Sequence, residues 1–297
     1  MLPLDTVHLL TRGNPLRTRA FFEYLNPENG IYTALNEEAG NISIIGQITH
    51  EGNSRSSHLS FIAPARAIFS PHIEGMMDHL AAQAGEWGTH HLLVYADEHS
   101  QYFEVLRKSG FSVYAWQRIW KFHPATARHQ VPGFDVPDDA WQPVAERETI
   151  PVKSLCQSLI PALVQPVEPL LDRKLDGLVA RKNGSICGYA EIISGGEGVW
   201  VQPFIHPENE NIAGLLMQLL NLFGKKRDTT VYVCVRSYQA WIESALEELP
   251  VLASPRQALM VRHLAVLEKE MNPVMMPAFE KSRVKPGIPV AHSENQK

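Results

Sequence analysis

The chain has 297 residues, 44% of them hydrophobic and 20% charged, a composition that supplies a sizeable core. Its 27 Lys and Arg against 32 Asp and Glu leave a formal net charge of −5, which argues against a long grip on a phosphate backbone, so nucleic acid is not an expected partner. Three cysteines, Cys156, Cys187 and Cys234, stand far apart without a CxxC pair, which excludes a disulfide framework and a structural zinc site and leaves buried reduced thiols.

The length suggests two domains at about 150 residues each. The start, MLPLDTVHLL, lacks the basic and long apolar regions of a secretory signal. The most apolar stretch, residues 212–223, is shorter than the about 20 residues a bilayer requires. Neither a membrane nor an oxidising compartment is expected, and the cytoplasm is the default location.

In chain order, residues 30–64 read as three short strands, IYTALNEE, NISIIGQITH and HLSFIAP, with hairpin turns between them. A helix is expected at 76–85, a buried strand in HLLVYAD, a second helix in QYFEVLRKSGF ending at a left-handed Gly110, and a closing strand in SVYAWQRIWKF. A Pro-rich passage at 124–139 reads as a linker.

Residues 177–207 then repeat the first pattern: LVARKNG, SICGYAEII and GVWVQPFIHP, with Gly188 placed as Gly46 is in the first half. The apolar helix 212–223, the strand TTVYVCV, the helix QAWIESALEELP and the closing strand ALMVRHLAV complete the copy. Lys225-Lys226-Arg227 reads as a charged turn after the apolar helix. The last strand, if exposed, offers a dimer edge. Each half has the order strand, helix, three strands, helix, strand, helix, strand, so the fold class is α/β with a mixed sheet. The expected division is 1–123, the linker 124–139, 140–268, and a Pro-rich tail 269–297.

This order, given twice, resembles the GNAT family of N-acetyltransferases in tandem. The run HLLVYADEHSQYFEVLRKSGFSVYAWQRIW is similar to the family's fifth strand, following helix, Gly-Phe turn and last strands, and ICGYAEII with VWVQPFIHPE resembles its third and fourth strands. The resemblance implies two GNAT-like domains, each a mixed, mostly antiparallel sheet flanked by helices. It implies acetyl-CoA in a V-shaped gap between the fourth and fifth strands, its pyrophosphate held by amides at a glycine-rich helix start. That loop is altered in both halves. The first reads PARAIFSPH; the second offers Asn211, Ile212, Ala213 and Gly214, with Glu208 and Glu210 beside them. Phe204 and Ile205 would receive pantetheine by backbone pairing. The proton-donor tyrosine of many members is replaced by Leu106 and Leu246, with Tyr102 and Tyr238 nearby in another register.

Glu191, on a central strand of the second half, is the candidate general base; Thr49 stands near its equivalent in the first. Asn209 and Asn211 are good N-cap residues, a structural role that suffices to explain them and still leaves their amides able to point at a ligand. The thirteen histidines show no metal-ligand spacing, so no metal is expected. The expected function is acetyl-CoA-dependent transfer to a small or peptide amine, with the first half shaping the acceptor cleft. The alternative is an inactive binding or assembly module that kept the fold and lost the cofactor loop.

Overall fold

Each run singled out by its periodicity forms the expected element in a computed structural model, which describes residues 1–14, 30–38, 41–52, 54–124, 141–168, 175–182, 184–227 and 229–265. The first half holds β1 (Leu2–Pro3), α1 (Thr6–Arg12), β2 (Ile31–Glu38), β3 (Asn41–His50), β4 (Ser56–Ala63), α2 (Ile73–Glu86), β5 (His91–Asp97), α3 (Tyr102–Lys108) and β6 (Ser112–Phe122). The second holds β7 (Trp141–Pro143), α4 (Thr149–Leu159), β8 (Gly177–Lys182), β9 (Ser185–Ser194), β10 (Val199–Ile205), α5 (Ile212–Arg227), β11 (Val231–Arg236), α6 (Ala240–Glu247), β12 (Leu252–Ala253) and β13 (Gln257–His263). Gly110 ends α3 at φ +86°, as expected. Helix α5 runs on through Arg227, so Lys225 to Arg227 form its last turn and not the turn after it. All but the first residue of the expected linker and the whole of the tail lie outside the described residues.

The duplication is visible across the strands. Gly46 stands opposite Ala34 and Ile62, and Gly188 opposite Ala180 and Ile205, so the same small–small–Ile row crosses three strands in each half. Each glycine makes room for a neighbour: a Cβ would lie 2.8 Å from Leu80 of α2 at Gly46, and 3.3 Å from the Trp141 ring at Gly188.

The two halves share one sheet, thirteen strands among the described residues, with the main path β2-β3-β4-β5-β13-β6-β11-β10-β9-β8-β7. This corrects the expectation that each last strand closes its own half. Strand β13 enters between β5 and β6, and β6 pairs antiparallel with β11 from Phe122 to Gln117. The exchanged strands bury side chains in the other half's core: Ala258 and Met260 join Met77 and Leu80, while Trp120 and Phe122 join Leu216, Leu219 and Leu220. Two ion pairs fasten the exchange, Arg262–Asp78 at 2.6 Å between β13 and α2, and Arg118–Glu243 at 3.1 Å between β6 and α6. The strand ALMVRHLAV is therefore an internal strand and offers no dimer edge. Residues Met1–Leu267 form one compact unit. None of the described helices is long and apolar enough to cross a membrane.

Candidate functional site

Parallel strands splay at one place in each half. Strands β4 and β5 pair only from Ser56↔His91 to His58↔Leu93, and β10 and β11 only from Val199↔Val231 to Val201↔Val233. Beyond those pairs the backbone groups of the facing edges need other partners.

In the first half the chain's own start supplies them. Strand β1 pairs with β4 at Leu2↔Ile62 and Pro3↔Phe61. The Leu4 amide donates to the Ser60 carbonyl at 2.9 Å, and the Tyr95 amide donates to the Leu4 carbonyl at 2.9 Å. Leu4, 1% exposed, thus bridges the two splayed strands. In the second half side chains do the same work. Gln239 donates its amide to the Pro203 carbonyl at 3.1 Å, and the Trp241 indole donates to the Ile205 carbonyl at 3.0 Å. Pro203 stands two residues before the row residue Ile205, as Ser60 stands two before Ile62. The same carbonyl is capped in both halves by different devices.

The loops after β4 and β10 are likewise bonded within themselves. In the first, the amides of Ala67, Ser70 and Ile73 donate to Pro64, Ala67 and Ser70 carbonyls, and His72 N–H to the Ser70 hydroxyl. In the second, Asn209 accepts from the Asn211 amide at 3.0 Å, and Asn211 accepts from the Gly214 amide at 3.0 Å. Asn211 is thus the side-chain cap of α5. Ile212 and Ala213 are half-buried at its start, and Phe204 is fully buried with its backbone paired to Tyr189. An arriving CoA would meet capped carbonyls, a proline without a donor, and a helix start already using the Gly214 amide. As they stand, these residues do not fit the cofactor.

The candidate acids are engaged elsewhere. Leu106 and Leu246 are fully buried. The Tyr102 hydroxyl accepts from the Asp97 amide at 3.4 Å. Burial first, and then the Glu168 charge, hold the Tyr238 hydroxyl far above the usual phenol range, and it donates to Glu168 Oε2 at 3.4 Å.

A polar cavity of about 210 Å³ lies on the sheet face between the halves. Helix α1 covers it. Asp5 caps that helix, accepting from the His8 amide at 3.0 Å, and Val7 and Leu10 pack onto Ile119, Trp200 and Cys234 across the junction. The Glu197 amide donates to the Thr11 carbonyl at 2.9 Å. Gly195 permits that approach, because a Cβ there would lie 2.1 Å from the Thr11 oxygen. Burial lowers the pKa of His8 on this helix, with the Asp5 charge opposing.

Glu191 lines this cavity at 5% exposure, opposite Gln202 in the β9–β10 register, and Thr49 lines it from the first half. Three further lining residues carried no motif signal: Glu168, Gln202 and Arg236, each at most 3% exposed. Arg236 pairs with Glu168 at 3.3 Å, donates to Gln202 Oε1 at 3.3 Å and also to Gln117 Oε1. The one sequence cue was an arginine closing the apolar strand VYVCVR.

Burial pushes the Cys156 and Cys234 thiols up to about 12. Cys187 is only half-buried, which corrects the expectation of three buried thiols. Among the described residues no group of three His, Cys, Asp or Glu is arranged to hold a metal ion.

No protein-family model and no curated protein matches the chain. Solved structures do. A functionally unknown conserved protein from Staphylococcus epidermidis is similar at 9% identity and a TM-score of 0.51, over 78% of this chain and 95% of that one. A tandem GNAT protein from the clavulanic acid biosynthesis pathway is similar at 12% identity and a TM-score of 0.49, over 79% and 83%. A GCN5-related N-acetyltransferase from Sphaerobacter thermophilus is similar at 12% and 0.46, over 83% and 85%. At 9% identity the first of these likenesses is one of fold alone.

Proposed function

We propose that this chain is a small-molecule binding protein built on two GNAT-like halves, with its site in the polar cavity beneath α1. The observation that carries this reading is that the splayed strand edges of both halves are hydrogen-bonded by the chain's own groups, where acetyl-CoA would have to pair. The cavity is concave, lies at a junction of two halves and gathers buried ionisable groups, all features of ligand sites. Three free thiols support a reducing compartment, the cytoplasm, as its location.

The test is calorimetric titration of the full chain with acetyl-CoA, with a thermal-shift series beside it. The expected result is neither heat nor stabilisation at millimolar cofactor. A bound cofactor at about 100 times its Kd would add about 2.7 kcal/mol, which is easily seen. Heat that Gly214→Glu abolishes would overturn the reading.

A second reading, acetyl-CoA-dependent transfer to a small or peptide amine, draws support from Glu191. Its carboxylate stands on the wall of a cavity at the side of β10, where a base drawing a proton from an amine would be useful. Acetylation of an amine panel that Glu191→Gln abolishes, with the fold intact, would establish it in place of the first.

A further inference from the structure

The wall of the cavity also narrows the chemistry of what it takes, given that the cavity is a binding site. Four carboxylates line it, Asp5, Glu51, Glu168 and Glu191, against two guanidinium groups, Arg12 and Arg236. Of these, Glu168, Glu191 and Arg236 are buried, which leaves one carboxylate in excess in the low-dielectric part of the wall, and an excess of negative charge there concentrates cations. A second observation points to the other end of the ligand. Gln202 Nε2 and Arg236 Nε are buried N–H donors without a hydrogen-bond partner among the described residues, on side chains that line the cavity. The orientation of the Gln202 amide is set, because its oxygen accepts from Arg236 and its nitrogen must then be the donor left over. Buried donors without partners cost about 1–3 kcal/mol each, so an acceptor that reaches them is favoured.

The two features are neighbours. Glu191 and Gln202 are directly opposite in the β9–β10 register, so their side chains rise from the same face about 5 Å apart. The cavity, about 210 Å³, is below the roughly 300–1,000 Å³ of pockets for drug-sized ligands. We infer that it binds a small organic cation carrying an oxygen acceptor one or two carbons from its nitrogen, of amino-alcohol or amino-acid type. The carboxylates face the ammonium, and Gln202 with Arg236 takes the oxygen.

The inference rests on the binding-protein reading and fails separately from it. Four probes titrated into the full chain decide it: ethanolamine, serine, n-propylamine and propionate. Ethanolamine or serine is expected to bind about ten-fold tighter than either single-ended probe, and which of the two wins identifies the acceptor as hydroxyl or carboxylate. Gln202→Leu should erase that margin while n-propylamine binding stays, and Gln202→Met, which keeps the side-chain length and removes the donor without adding charge, checks the same point if the first variant does not fold. Glu191→Gln should weaken every cation. Equal binding of n-propylamine, tightest binding of propionate, or no binding of any probe would overturn the inference. None of these outcomes alters the acetyl-CoA titration, whose heat alone decides the reading beneath it.

Discussion

The first strand of each half sits in a different place, although the halves share their element order. In the second half β7 stays at the sheet margin, pairs with β8, and uses its Trp141 indole to hold the Leu215 carbonyl of α5 at 2.9 Å. In the first half β1 leaves that margin and enters the gap between β4 and β5. The segment that follows it, α1, is thereby carried over the junction and onto β10. One displaced strand both fills a gap and roofs the cavity. The second half, with its first strand left at the margin, closes its own gap with Gln239 and Trp241 instead. Two copies of one frame reach the same closed edge by different chemistry, a backbone segment in one and side chains in the other.

The comparison can be broken most severely at the ion pair both halves enclose. Arg236→Met should leave Glu168 buried and uncompensated, costing about 3–5 kcal/mol in urea unfolding. Loss of less than about 1 kcal/mol would mean the pair is solvated and the cavity open.

Plug removal sharpens the contrast between halves. Leu4→Ala should cost about 2–5 kcal/mol, since a fully buried leucine is lost from a core. Gln239→Ala should cost about 1–3 kcal/mol, the penalty of a buried carbonyl left unpaired. Equal, negligible losses would contradict both plugs.

The docking of α1 rests on Gly195. Gly195→Ala should cost about 1–3 kcal/mol through overpacking against the Thr11 carbonyl. Gly196→Ala, with nothing within 4 Å of its Cβ, should stay within about 0.5 kcal/mol and serves as the control.

A smaller effect comes from His8. Its folded pKa lies below 6.5, so the unfolded chain takes up the proton first as pH falls. The stability it contributes is full above 6.5, is lost as pH drops from 6.5 toward the folded value, and then levels off. His8→Gln should flatten that part of the stability–pH curve, and an unchanged slope would place the histidine in solvent. Thiol labelling gives the mildest readout: Cys187 should react first at pH 8, with Cys156 and Cys234 silent until unfolding.

Local pattern revealed most of the elements, because strand alternation and helical spacing are written in neighbouring residues. The equivalence of Gly46 and Gly188 was legible for the same reason, while the rows that they centre needed the strand register. The exchange of β6 and β13 was not, since Trp120 and Met260 mark a strand as buried without saying in which core. A first strand was part of the expected order, but the place of β1 was not legible, because it depends on a gap formed by β4 and β5, far along the chain. In the site, Glu191 and Asn211 were singled out by position on a strand and at a helix start. Glu168, Gln202 and Arg236 were not, for their meaning lies in a meeting of segments that the sequence holds far apart.

The most direct test of the closed gaps is amide hydrogen exchange on the native chain, reading the Leu4 amide and the Trp241 indole. Both are donors to splayed-strand carbonyls in this account, at Ser60 and Ile205. Slow exchange at both, unchanged by millimolar acetyl-CoA, is the predicted result. Exchange at either as fast as in an unstructured peptide, or a change on adding the cofactor, would contradict it.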